Sequence, residues 1–141
     1  MLLLLGVAAA AFYGAYRLLW QTIEQASRTR RYITTASPQA VEAAFKRGMG
    51  WPVAHESDPA VVAAPGRHGR PEIACVLDEP VNGRRKVHIA MVDEESVRAV
   101  GRNNALGGMT GAFFEARGIR ARLENVETEL RRVDPHFAVA E

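Results

Sequence analysis

Four histidines, one cysteine and a few adjacent carboxylates are the residues of this chain with the types that ligate metals or act as nucleophiles and bases. Such chemistry needs them to converge: zinc sites take Cys and His pairs at short, fixed spacing, and a reactive thiol needs a base beside it. His55, His68, His88 and His136 are scattered without paired spacing, and Cys75 has no CxxC partner. No serine elbow or other nucleophile motif accompanies them. Asp78/Glu79 and Glu94/Glu95 are explained by a turn approach and a helix start, where charge aids solubility and complements the helix dipole. The glycine-bearing run Leu106–Gly111 precedes a helical segment and would present N–H groups to a phosphate. It lacks a Walker lysine, a GxGxxG pattern and an acidic residue at a meaningful offset, so it reads as an ordinary interhelical loop. The sequence therefore assigns no catalytic residue, cofactor or metal.

The segment that must position everything else is the N-terminal one. Leu2 to Trp20 is 19 residues long, apolar throughout except for Arg17, and as a helix would extend about 28 Å, close to the ~30 Å of a bilayer's hydrocarbon. Tyr13, Tyr16 and Trp20 suit a membrane–water interface, and Arg17 is placed to reach the headgroups. A cleaved signal peptide fits less well, because no Lys or Arg precedes the apolar run and cutting after Ala8–Ala11 would leave a second apolar segment at the new terminus. Gly6, Ala10 and Gly14 align small residues on one stripe, which permits close packing against another membrane helix or a second copy.

Charge indicates partners and orientation. The chain has 18 basic and 16 acidic residues; Arg17, Arg28, Arg30, Arg31 and Glu24 all precede residue 32, leaving 14 basic and 15 acidic residues behind them. The basic balance thus comes from a juxtamembrane collar, which suits anionic lipid headgroups better than nucleic acid. Arg17, Trp20, Arg28, Arg30 and Arg31 are the expected membrane-interface residues. Arginines on only the C-terminal flank predict a cytoplasmic domain by the positive-inside bias, and the lone Cys75 agrees with a reducing compartment.

The expected partition is an anchor over 1–20, a polar connector over 21–31, a small α+β domain over 32–134 and a frayed tail over 135–141. Tyr32–Thr35 reads as a strand, and Ser37-Pro38 as the cap and first position of a helix that ends at residue 47 with Gly48 as its stop. Val53–Glu56 and Val61–Ala64 form a hairpin, followed by an exposed loop over 65–71. Ile73–Leu77, Asn82-Gly83 and Val87–Val92 predict a type I′ hairpin. Counting outward from its turn pairs Leu77 with His88 and Cys75 with Ala90, which puts Cys75 and His88 on one face and makes both faces largely apolar. A helix follows Asp93, another spans Met109–Arg117 with Gly118 as its stop, and residues 119–123 and up to about 133 read as a strand and then a helix. That makes about five or six antiparallel strands with three or four helices. The nine residues Ile33–Val41 are similar to the strand-to-helix transition of helix-grip lipid-binding domains, but too few predicted strands follow for the likeness to extend beyond them.

The function these features imply is a noncatalytic, single-pass accessory or scaffold subunit of a larger membrane assembly, contacting lipids and other membrane subunits or itself, and not nucleic acid. An alternative is a tethered domain that holds a lipid or other apolar ligand against Ile89, Met91, Phe113 and Phe114. A third reading, an enzyme using Cys75 or His88, rests only on their shared face.

Overall fold

In the computed structural model, which describes residues 1–65, 71–92 and 108–140, the chain folds as α1 (Leu2–Ser27), β1 (Arg30–Thr34), α2 (Pro38–Met49), β2 (Val53–Ser57), β3 (Ala60–Ala63), β4 (Ile73–Leu77), β5 (Arg85–Met91), α3 (Gly108–Val133) and β6 (Ala138–Val139). The six strands form one antiparallel sheet in the order β2-β3-β4-β5-β1-β6. The α+β class and the long apolar N-terminal helix agree with the sequence. The helix expected after Asp93 and most of the loop expected over 65–71 lie outside the described residues.

The β4–β5 hairpin turns at Asn82-Gly83, both left-handed at φ 54° and 75°, and Val81 pairs with Arg84 as expected for a type I′ turn. Beyond the turn the pairing departs from the sequence reading: Leu77 faces Val87, Val76 faces His88 and Cys75 faces Ile89. From Val81/Arg84 to Leu77/Val87 the first strand advances one residue more than the second, so Asp78–Pro80 takes up an extra residue. Pro80 has no N–H to offer a ladder, which makes this the natural place for the irregularity. A one-residue slip moves every side chain to the other face. Ile73, Cys75, Leu77, Val87, Ile89 and Met91 therefore all point into the core, while Ala74, Val76, His88 and Ala90 lie half-buried on the opposite side.

The inner face is covered by α2 and α3. Ser37 caps α2 by accepting from the Ala40 N–H at 3.2 Å, Pro38 occupies its first turn, and Val41, Ala44, Phe45 and Met49 are fully buried. The helix does not stop at Gly48. It runs to Met49 and ends at Gly50, whose φ of 64° is the left-handed conformation of a C-terminal glycine and whose N–H closes onto the Lys46 carbonyl. Gly48 instead faces α3 so closely that a Cβ would overlap the Val126 backbone.

α3 is one unbroken helix of 26 residues, in place of the expected helix, strand and helix. Ala116, Ile119, Leu123, Val126 and Leu130 recur at alternating steps of three and four and are all buried. That stripe is satisfied only by helical geometry, whereas the alternation over 119–123 would bury half of it. Gly118 does not stop the helix, because Ala116 and Ile119 on either side of it are held in the core; Gly118 itself sits on the exposed side, with open space around its Cα.

The C-terminal end of α3 is latched to β1 by a buried carboxylate. Asp134, 2% exposed, accepts from the Thr34 hydroxyl at 2.5 Å, the Thr35 N–H at 2.8 Å, the Thr35 hydroxyl at 2.9 Å and the His136 N–H at 2.8 Å. Burial works to raise its pKa, but the Thr34 hydroxyl, the Thr35 and His136 N–H groups and the Thr35 hydroxyl outweigh it and hold the group down to about 2. The tail beyond is tied rather than frayed. Phe137 packs on Tyr32 with ring centroids 5.0 Å apart, β6 pairs with β1, and the Ala140 N–H donates to the Arg31 carbonyl.

Two predictions follow from these contacts. Gly48→Ala should lower stability by about 1–3 kcal/mol by forcing α2 and α3 apart, while Gly118→Ala should raise it by about 0.5–1 kcal/mol by stiffening an open helical site. Urea titrations of the detergent-solubilised chain measure both, and equal effects of the same sign would contradict the packing. Asp134 has a depressed folded pKa, so its contribution is complete above the ordinary value of 3.8 and is lost as pH falls towards about 2. Melting curves should therefore show Asp134→Asn costing about 1–3 kcal/mol at neutral pH, with the gap to the parent closing across that acid range.

Candidate membrane interface

α1 changes surroundings partway along its length. From Met1 to Leu18 its large apolar side chains are exposed, Leu2 by 87% and Leu18 still by 53%, whereas Leu19, Thr22 and Ala26 are buried and Ile23 packs against the core. The buried positions fall at steps of three, one and three, the stripe of a helix lying on a partner, and that partner is α3. The stretch over 21–31 thus continues α1 through Ser27, while Arg30 and Arg31 belong to β1. Among the described residues, α1 is the one helix long and apolar enough to cross a membrane.

At the changeover sits a ladder of aromatic rings. Phe12 and Tyr16 stack with centroids 6.5 Å apart, Tyr16 and Trp20 meet edge to face at 5.9 Å, and Arg17 lines a shallow surface groove with Tyr13, Tyr16 and Trp20. Amphipathic rings beside a long cationic side chain are the composition favoured at headgroup depth. Gly6 and Gly14 have open space around their Cα atoms, and Ala10 between them is exposed.

The remaining arginines of the collar form a second tier. Arg28 follows Trp20 by eight residues, about 12 Å along the helix axis, and ends α1 with extended backbone. Arg30 and Arg31 alternate across β1, Arg31 exposed opposite His88 and Arg30 half-buried opposite Ile89. Arg28 to Tyr32, with Glu127, Val139 and Ala140, line a groove of about 350 Å³, and the Arg30 Nε lies buried there with no hydrogen-bond partner. Burial first and Glu127 second raise the Tyr32 pKa, while Arg30 and Arg131 pull it down. This tier lies about a Debye length beyond the Trp20 level.

The residues considered for chemistry do not come together. The register shift puts Cys75 in the core cluster on the α2 side of the sheet, and His88 on the opposite face, where it pairs with Asp78 at 2.8 Å. The expected shared face of Cys75 and His88 is thus corrected. Burial, assisted by Glu42, pushes the Cys75 thiol up to about 12, the reverse of a reactive cysteine. No cluster of three metal-ligating side chains is present among the described residues. A polar groove of about 530 Å³ lies beside the start of α2, lined by Glu42, Glu56, Asp58, Glu79 and Arg85 among others. Of the four residues expected to line an apolar pocket, Ile89 and Met91 are buried in the core cluster. Phe113 is half-buried and Phe114 is 57% exposed, and these two rings meet each other edge to face at 5.7 Å.

Neither the Asp134 latch nor the Arg120–Gln25 contact has a local signature in the sequence. Asp134-Pro135 reads as a helix terminus, and the adjacent Thr34 and Thr35 that complete its hydrogen-bond set are 100 and 99 positions away. Compared with protein-family models, curated proteins and solved structures, the chain matches none of them. What fold and site define is an α+β domain built directly onto the end of a helix of membrane-spanning length and composition.

Cys75 provides a check on the corrected register. A maleimide at pH 8 should leave the native chain unmodified and label it fully in denaturant, because the thiol is buried and protonated. Labelling of the native chain at the rate of a free thiol would place Cys75 on the outer face.

Proposed function

We propose that this protein is a noncatalytic, single-pass membrane subunit whose domain is held at a fixed position on the membrane surface and serves as an accessory or scaffold in a larger assembly. The observation that carries this reading is the continuity of α1: its exposed apolar part passes without a break into turns that pack on α3. A flexible linker would let a tethered domain explore a volume, whereas a helix locked into a core transmits position and orientation to whatever the domain holds. The separation of Cys75 from His88 and the burial of that thiol also favour a binding role over a reaction. For the lateral partner, the open stripe Gly6, Ala10 and Gly14 suits another membrane helix or a second copy.

The arginine collar argues for a cytoplasmic domain in the cell membrane, since translocating Arg28, Arg30 and Arg31 would oppose the positive-inside bias. Fusing reporters after Glu141, one active only in the cytoplasm and one only outside, tests this: cytoplasmic activity alone is expected, and activity of the external reporter overturns the orientation. Native electrophoresis of membranes extracted in mild detergent tests the subunit role. A species heavier than the detergent-bound monomer is expected, reduced by Gly6→Leu or Gly14→Leu. A monomer alone, at every detergent concentration, removes the basis for an assembly.

A further inference from the structure

We propose that the N-terminal two turns of α3, Gly108 to Phe114, form a second membrane contact that dips into the lipid interface beside α1. The inference rests on the reading of α1 as a membrane anchor and extends it to a helix more than eighty residues away in sequence.

The geometry points there because α1 and α3 run in the same direction. The Arg120 guanidinium donates to the Gln25 side-chain oxygen at 2.8 Å across a separation of 95 positions. Further along, Arg28 to Tyr32 share a groove with Glu127, and Thr34 and Thr35 bind Asp134 across 100 and 99 positions. Contacts thus advance together along the two segments at a nearly constant offset. An antiparallel pairing would instead carry Arg28 away from Glu127. Followed back at the same offset, Leu18 and Leu19 come level with Phe113 and Phe114, and Trp20 comes level with Glu115.

Polarity changes near that same level on both helices. Apart from Arg17, α1 is apolar through Trp20, and beyond it the exposed residues Gln21, Glu24 and Gln25 are polar while Ile23 and Ala26 turn into the core; α3 is uncharged from Gly108 through Phe114 and charged from Glu115. Two helices distant in sequence thus switch character at one plane, as a shared bilayer surface requires and a purely aqueous setting does not. The exposed ring of Phe114, at 57%, stands at the level of Leu18 and Trp20, each 53% exposed. From Phe114 to Gly108 is six residues, about 9 Å of helix, short against the ~30 Å hydrocarbon thickness, so the segment would enter one leaflet's interface without spanning. The occupant that these aligned boundaries select is lipid.

The test uses the full chain with Cys75→Ala in vesicles of phosphatidylcholine containing phosphatidylglycerol. An environment-sensitive fluorophore is placed singly at Tyr13→Cys, Phe114→Cys or Asn125→Cys, all three exposed positions. Nitroxide-bearing lipid should quench the probe at 114 several-fold more than at 125, approaching its effect at 13, with aqueous iodide giving the reverse order and emission at 114 shifted to the blue. A probe at 114 that behaves like the one at 125 overturns the proposal. So does one shielded from both quenchers, which would mark a protein partner or a second copy over Phe114. Failure of the anchor itself is read separately, as iodide-accessible emission at 13.

Discussion

Burial of one stripe on α3 holds the three described helices together. Ala116, Ile119, Leu123, Val126 and Leu130 line it, and both α1 and α2 pack chiefly against this helix. An isolated amphipathic helix gains little from propensity alone, and tertiary burial supplies most of its stability, at about 1.5–3 kcal/mol for each fully buried Ile, Leu or Val. Gly48 sets how near α2 can come, because only a missing side chain admits the Val126 backbone. Arg122 reinforces the same approach by donating to the Met49 carbonyl and lying over the Trp51 ring at 5.2 Å. Arg47 adds an ion pair to Glu129 at 3.1 Å, on a partly exposed edge where such pairs contribute little.

From that stripe the constraint passes outward in two directions. Towards the sheet, the stripe belongs to one continuous core cluster with the inner-face residues of β1, β4 and β5, and that cluster also takes in Tyr32 and Phe137. Towards the N-terminus, the last turns of α1 join the same core through Ile23 and Ala26. α1 and the domain are therefore parts of one folding unit. Truncation at residue 31, the boundary suggested by composition, would strip Ala26 from the cluster and expose the flank of α3.

The outer face of the sheet has a different character. Ala74, Val76 and Ala90 are small and half-buried there, and His88 and Asp78 place a polar pair beside them. The inner face fills its volume with Ile, Leu, Val and Met, as close packing under helices demands. The division follows from the irregularity at Asp78–Pro80, which decides which set faces the helices.

By itself the sequence determined the features that depend on near neighbours. These are the apolar N-terminal helix from its length and composition, the Ser37-Pro38 start of α2, the type I′ turn at Asn82-Gly83 and the α+β class. Each is settled within a few residues, by hydropathy, capping or left-handed backbone preference. Tertiary structure decided what depends on the other side of a contact. Gly48 and Gly118 look alike as helix stops, yet one is a helical contact site and the other an open helical position, and only Val126 distinguishes them. The register of β4 and β5 rests on one extra residue that alternation cannot locate, since both phases of the hairpin are apolar. Asp134 is indistinguishable from any helix-ending aspartate until Thr34 and Thr35 are brought to it. The contact of Gln25 on α1 with Arg120 on α3 joins segments 95 positions apart, a relation that no local pattern encodes.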